Sequence, residues 1–152
     1  MIEEQKAIAY LITKSLDENL YFVLVYSRWA REDTWPLLNK TFFGKLPLLM
    51  RTIIPKIVRR QVLKELQGQG ISRHSNEEIQ NILRLSLDSL STLLGDKEYF
   101  FGAKPSSLDA VVFGLLSQFI LVNFNNPFNA IAKSYPTLVH YCERIRQNYY
   151  QN

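Results

Sequence analysis

Ser106 and Asp109 lie three residues apart, just after Pro105 and just ahead of a run that carries no charge as far as Ala132. A serine hydroxyl beside a carboxylate has the raw materials of a nucleophile and its base. The same pair at the same spacing is also what the start of a helix needs. There the hydroxyl accepts the backbone N–H three residues on, and the carboxylate reaches back to the serine N–H. The apolar run that follows favours the second use, so Ser106 and Asp109 are assigned to folding. Ser75-Asn76-Glu77-Glu78 repeats the pattern, and Ser75 and Glu78 are expected to cap another helix. No residue is assigned a catalytic role.

His74 and His140 are the only histidines, and Cys142 is the single cysteine. No HExxH or CxxC spacing occurs, so no metal site is expected. Cys142 shares a helical face with Leu138 and Ile145, which suits a packed core thiol. A reactive thiol would need a nearby group that lowers its pKa, and none is adjacent in sequence. Basic residues collect from Lys45 to Lys64, and Lys56, Arg59, Arg60 and Lys64 fall on one face at helical spacing. Such a face could meet phosphate or an acidic membrane, or simply be solvated. Helix-turn-helix grammar and RNP-type aromatic strands are missing, so no nucleic acid partner is expected. Tyr21, Tyr26, Trp29, Trp35, Phe42 and Phe43 form an aromatic set. Tyr and Trp join an apolar body to a polar tip, which suits either a mixed ligand pocket or internal packing.

These groups must be carried by helices. Ile8, Ile12, Leu16 and Leu20 recur every four residues and predict a first helix from about Glu3 to Arg31, ended before Pro36. Thr41 to Pro47 reads as a connection. A second long helix follows, with Met50, Ile53, Ile54, Ile57, Val58, Gln61, Val62 and Leu66 expected inward, Pro55 within it, and Gly68 and Gly70 stopping it. The third helix, opened at Ser75, carries the stripe Ile79, Ile82, Leu83, Leu87, Leu90, Leu93 and Leu94. A central helix is expected over about 107–123, a short one over 127–132, and a last one from near Pro136. No strand pair is evident. The sum is an all-α bundle occupying residues 1–152 as one domain.

Composition is consistent with that reading. The 152 residues are 47% hydrophobic and 21% charged, ordinary for a globular domain able to bury a core. The net charge of +4 permits weak attraction to anions without requiring it. A single cysteine allows no internal disulfide, and the acidic N-terminus lacks a signal pattern. A reducing, cytoplasmic setting is therefore expected.

The stretch Gly95, Tyr99-Phe100-Phe101-Gly102 and Ser106-x-x-Asp109 resembles the start of the central buried helix in the C-terminal domain of glutathione transferases. Ser134-Tyr135-Pro136-Thr137-Leu138 through Ile145 resembles that family's late helix. Leu20 to Trp29, Gln69 to Ile79 and Leu94-Gly95-Asp96-Lys97 are similar to the branch that holds the failed-axon-connections and metaxin proteins and bacterial relatives. The resemblance implies a glutathione-transferase C-terminal-like helical bundle. Full-length relatives begin with a thioredoxin-like domain that binds glutathione and activates its thiol; the chain as given opens past that region. Glutathione is thus implied only for a full-length relative, and no cofactor is expected in this chain. By resemblance Tyr21, Tyr26, Trp29, Trp35 and Phe42 could line the wall for an apolar small molecule. The isolated chain is expected to be inactive in glutathione conjugation. Its partners would be a thioredoxin-like domain in cis, or otherwise a second copy or another protein. Metaxin relatives are associated with protein import at a membrane, which makes a non-catalytic interaction module the alternative.

Overall fold

The computed structural model describes residues 1–150, and among them the regular structure is helical, with one isolated antiparallel bridge between Tyr99 and Gly102. The first rod is unbroken from Glu3 to Ala30, yet it is not a uniform α-helix. Helix α1 (Glu3–Ser15) runs into a π-turn at Leu16–Leu20, then α2 (Tyr21–Val25), then a second π-turn at Tyr26–Ala30. Each π-turn admits an extra residue per turn and shifts the apolar stripe around the rod. That shift keeps Leu16, Leu20, Val23, Leu24 and Ser27 turned into the core. Buried Ser27 returns its hydroxyl to the Leu24 carbonyl at 2.8 Å. In α1, Ala9 and Ile12 pack against the core, whereas Ile8 and Leu11 are exposed.

A further helix, α3 (Trp35–Phe43), occupies part of the expected connection, and the true link is only 44–47. Pro36 opens α3 rather than marking a gap, because the first-turn N–H groups of a helix lack partners anyway. Helix α4 (Leu48–Gln69) passes through Gly68 and stops at Gly70, whose φ of 115° only glycine adopts freely. The expected inward face of α4 is corrected by the structure. Pro55, Val58, Arg59, Val62 and Leu66 face the body, whereas Met50, Ile53 and Ile57 are exposed. The first half of α4 meets little beyond α3, so its most apolar residues have nothing to pack on.

Helix α5 (Asn76–Leu94) buries Ile79, Leu83, Leu87, Leu90 and Leu94, an i, i+4, i+8 line, with Ile82 half-buried and Leu93 exposed. Helix α6 (Ser107–Ile120) lies at the centre, packed on the first rod, α7 (Pro127–Lys133) and α8 (Pro136–Tyr149). Leu108, Val112, Leu116 and Phe119 are buried within it. Asn126 caps α7, accepting the Asn129 N–H at 3.0 Å, while the buried Asn129 amide donates to the carbonyls of Phe119 and Val122 where α6 ends.

Candidate functional site

The C-terminal end of the first rod is where the aromatic and basic candidates gather. A helix end leaves carbonyls without intrahelical donors, and the π-turn at Tyr26–Ala30 ends in extended backbone at Arg31. Arg59 of α4 supplies the missing donors. Its Nε donates to the Trp29 carbonyl at 2.9 Å and its Nη2 to the Ala30 carbonyl at 3.2 Å, while an ion pair with Glu32 closes at 2.6 Å. The same guanidinium lies 4.7 Å from the centre of the Trp35 ring. Trp29 then packs on Trp35 at 5.7 Å, Phe42 at 6.4 Å and Phe43 at 6.5 Å between ring centres. This cluster ties α3 and α4 to the first rod.

Arg59 therefore leaves the basic face on which the sequence put it. The unpaired carbonyls and the Trp35 ring draw it inward, while Lys56, Arg60 and Lys64 stay exposed. Two more arginines finish the same rod end. Arg28 donates to the Gln118 carbonyl at 2.9 Å, and burial pulls its pKa down from the ordinary value. Arg31 forks onto Asp33 and holds that carboxyl below its usual range, chiefly through the hydrogen bond.

Beside this cluster runs a cleft of about 350 Å³, lined by Tyr21, Phe22, Val25 and Trp29 of the rod and by Val62, Glu65 and Leu66 of α4. Of the five residues expected to line a substrate wall, Tyr21 and Trp29 are on it. Trp35 and Phe42 are joined to it only through the Trp29 ring. Tyr26 is turned elsewhere: its ring meets Phe128 edge-on at 6.1 Å, and it borders a shallow depression with Arg31, Glu32, Asp33 and Asn76. Val62 and Leu66 were legible only as core positions. A second groove, missed in the sequence, lies between α1 and α5. Ile12, Leu16, Leu85 and Leu93 form its apolar lining, with Ser86 and Ser89 among its polar groups. Leu85, an apolar residue off the stripe of α5, is the signal that could have found it.

The two caps differ. At Ser75 the box closes both ways: the Glu78 N–H donates to the Ser75 hydroxyl at 3.2 Å, and the Ser75 N–H donates to the Glu78 carboxylate at 2.7 Å. That backbone hydrogen bond leads the causes that hold the Glu78 carboxyl below its ordinary pKa. At Ser106 the return arm forms at 2.8 Å, but the hydroxyl donates to Asp109 Oδ2 at 2.7 Å instead of accepting from the Asp109 N–H. A carboxylate is the stronger acceptor and sits within reach. Asp109 is 2% exposed, and its Oδ1 also accepts the Phe100 N–H at 3.0 Å and the Tyr141 hydroxyl at 3.1 Å. Every proton near this carboxylate is committed to holding the turn before α6 and α8 in place.

His74 approaches Glu78 at 3.8 Å and His140 is exposed on α8. Cys142 is fully buried, and burial raises its thiol pKa to about 12. Among the described residues no group of His, Cys, Asp and Glu converges to hold a metal ion, and no helix is long and apolar enough to cross a membrane.

Residues 83–145 match the family described as glutathione S-transferase, C-terminal domain. Over 97% of its length the chain is 28% identical to the isoprene-epoxide–glutathione S-transferase of Rhodococcus sp. (strain AD45), and over 99% it is 25% identical to human metaxin-2. It covers 63% and 58% of those two proteins. Over 76% of its length it is 32% identical to Failed axon connections of Drosophila melanogaster, of which it covers 30%. The chain thus spans less than two thirds of the curated relatives it matches. No solved structure matches it.

Proposed function

We propose that this chain, an all-α C-terminal-type domain of the glutathione S-transferase superfamily in the branch of the metaxins and Failed axon connections, supplies the apolar substrate wall of a transferase-like protein and leaves thiol activation to a thioredoxin-like domain. The observation that carries this reading is the cleft between the rod and α4, where Tyr21, Trp29, Val62 and Leu66 offer an aromatic and aliphatic lining. Its ionisable lining groups are Tyr21 and Glu65. A carboxylate beside a thiol raises the thiol pKa instead of lowering it, so this wall suits the electrophile and not the sulfur. Glutathione would be held by the other domain. An epoxide, the substrate class in the name of the Rhodococcus relative, is small and apolar enough for such a cleft.

Titrating the purified chain with styrene oxide while following tryptophan emission tests this, because Trp29 borders the cleft and Trp35 packs on the Trp29 ring. A saturable change, abolished by Val62→Phe filling the cleft, is expected. Conjugation of glutathione to 1-chloro-2,4-dinitrobenzene should stay at the uncatalysed rate. Turnover above that rate would overturn the division of labour, and an emission that never responds would remove the wall.

A second reading, an interaction module that contacts another protein or a second copy, is favoured by a different observation. Leu37, Phe42, Leu48, Leu49, Met50, Ile53 and Ile57 are all exposed on α3 and α4, and contiguous exposed apolar surface marks contact sites.

A further inference from the structure

From Thr34 to Lys64 the chain holds seven basic residues, Lys40, Lys45, Arg51, Lys56, Arg59, Arg60 and Lys64, and no acidic one. Arg59 is spent on Glu32 and the rod end. The other six make no ion pair among the described residues. The apolar exposure coincides with this stretch. Leu48 and Leu49 follow the turn at 44–47 and are 71% and 73% exposed, and Phe42, on the other side of that turn, is 61% exposed.

Helical spacing organises the rest. On α4 the outward side, opposite Pro55, Val62 and Leu66, carries Leu49, Met50, Ile53 and Ile57 in its first half. The same side carries Lys56, Arg60 and Lys64 further on. Apolar side chains therefore lead at the protruding tip, and cations follow behind them. Between the two helices lies a recess of about 380 Å³ bordered by Pro36, Asn39, Lys40, Gly44 and Arg51, so two free cations and an amide flank the apolar tip.

We propose that the α3–α4 tip seats this domain on an anionic lipid bilayer. Phe42, Leu48, Leu49 and Met50 enter the headgroup–acyl boundary, Lys40 and Arg51 take a lipid phosphate, and Lys45, Lys56, Arg60 and Lys64 lie against the charged surface. The apolar residues protrude and the recess beside them is cationic and polar. A folded protein partner would need a matching hollow for two adjacent leucines, whereas a bilayer accepts a protruding apolar tip ringed by cations without one. Each cation near an anionic surface adds to the attraction, which salt screens.

Co-sedimentation of the chain with vesicles of phosphatidylcholine containing 30% phosphatidylserine, against pure phosphatidylcholine vesicles, tests the assignment. Binding at least tenfold tighter to the anionic vesicles is expected, weakening as salt rises from 0.1 to 0.5 M. Leu49→Asp and Arg51→Glu, both at exposed positions, should each cut binding tenfold or more with an unchanged circular dichroism spectrum. Equal binding to both vesicles, or none to either, would overturn it. So would a concentration-dependent dimer, or capture of an acidic peptide, that Leu49→Asp abolishes while vesicle binding stays absent.

Discussion

Asp109 accepts the Ser106 N–H, the Ser106 hydroxyl, the Phe100 N–H and the Tyr141 hydroxyl while only 2% exposed. A cap on an exposed helix start is worth about 1 kcal/mol. Here the loss would be larger, since removing the carboxylate leaves the buried Phe100 N–H and the half-buried Ser106 N–H without acceptors, each costing about 1–3 kcal/mol. Asp109→Ala is therefore expected to lower stability by about 3 kcal/mol or more, read from the urea midpoint with unchanged m-value. Ser75→Ala, at an exposed cap, should cost only about 1 kcal/mol in the same measurement. Equal losses at the two sites would mean that the network around Asp109 contributes nothing beyond capping. From sequence, Ser106 and Asp109 were legible as a local device. The partners Phe100 and Tyr141 were not, because contacts 9 and 32 residues apart leave no periodic trace.

At the scale of elements, the order of helices could be read from stripes and caps, and two features escaped for identifiable reasons. Helix α3 was hidden by Pro36, which breaks a helix interior yet suits its first turn. The facing of α4 was misjudged because its densest apolar positions, Met50, Ile53 and Ile57, lie on the exposed side of the helix, and a stripe says nothing about what it will meet. Arg59 decides the orientation. Its guanidinium needs the carbonyls of Trp29 and Ala30, and meeting them turns Pro55, Val62 and Leu66 inward and sends Ile53 and Ile57 outward. Arg59→Ala should cost about 2–3 kcal/mol through two lost charge-assisted hydrogen bonds and the contact over Trp35. Hydrogen exchange should quicken first in α3, which hangs on this cluster. Arg59→Lys keeps the charge but not the fork, and is expected to recover less than half of the loss. Full recovery by lysine would mean that charge alone holds the element.

Across the whole molecule, the buried protons make stability fall in alkali. Burial, then the Glu143 charge, raises the Cys142 thiol to about 12, and burial, then the Asp88 hydrogen bond, raises Tyr135 to about 12. Burial also raises Tyr141, with Asp109 adding to it, and the hydrogen bond to Tyr99 raises Tyr149. In each case the folded state keeps a proton that the unfolded chain gives up sooner. Where the unfolded state binds fewer protons, unfolding free energy decreases as pH rises. The contribution of Cys142 is thus complete below the unfolded thiol value of about 8.5 and is lost progressively up to about 12, with tyrosines joining above about 10. The thiol alone should cost about 2 kcal/mol by pH 10. Cys142→Ala should be less stable at pH 7, because it leaves a cavity beside Leu138 and Ile145. It should nevertheless lose about 2 kcal/mol less than the parent between pH 8 and pH 10, a difference in slope that the cavity cannot mimic. Parallel urea midpoints for the two proteins over that range would place the alkaline loss elsewhere, and rapid alkylation of the native thiol at pH 8 would contradict its burial outright.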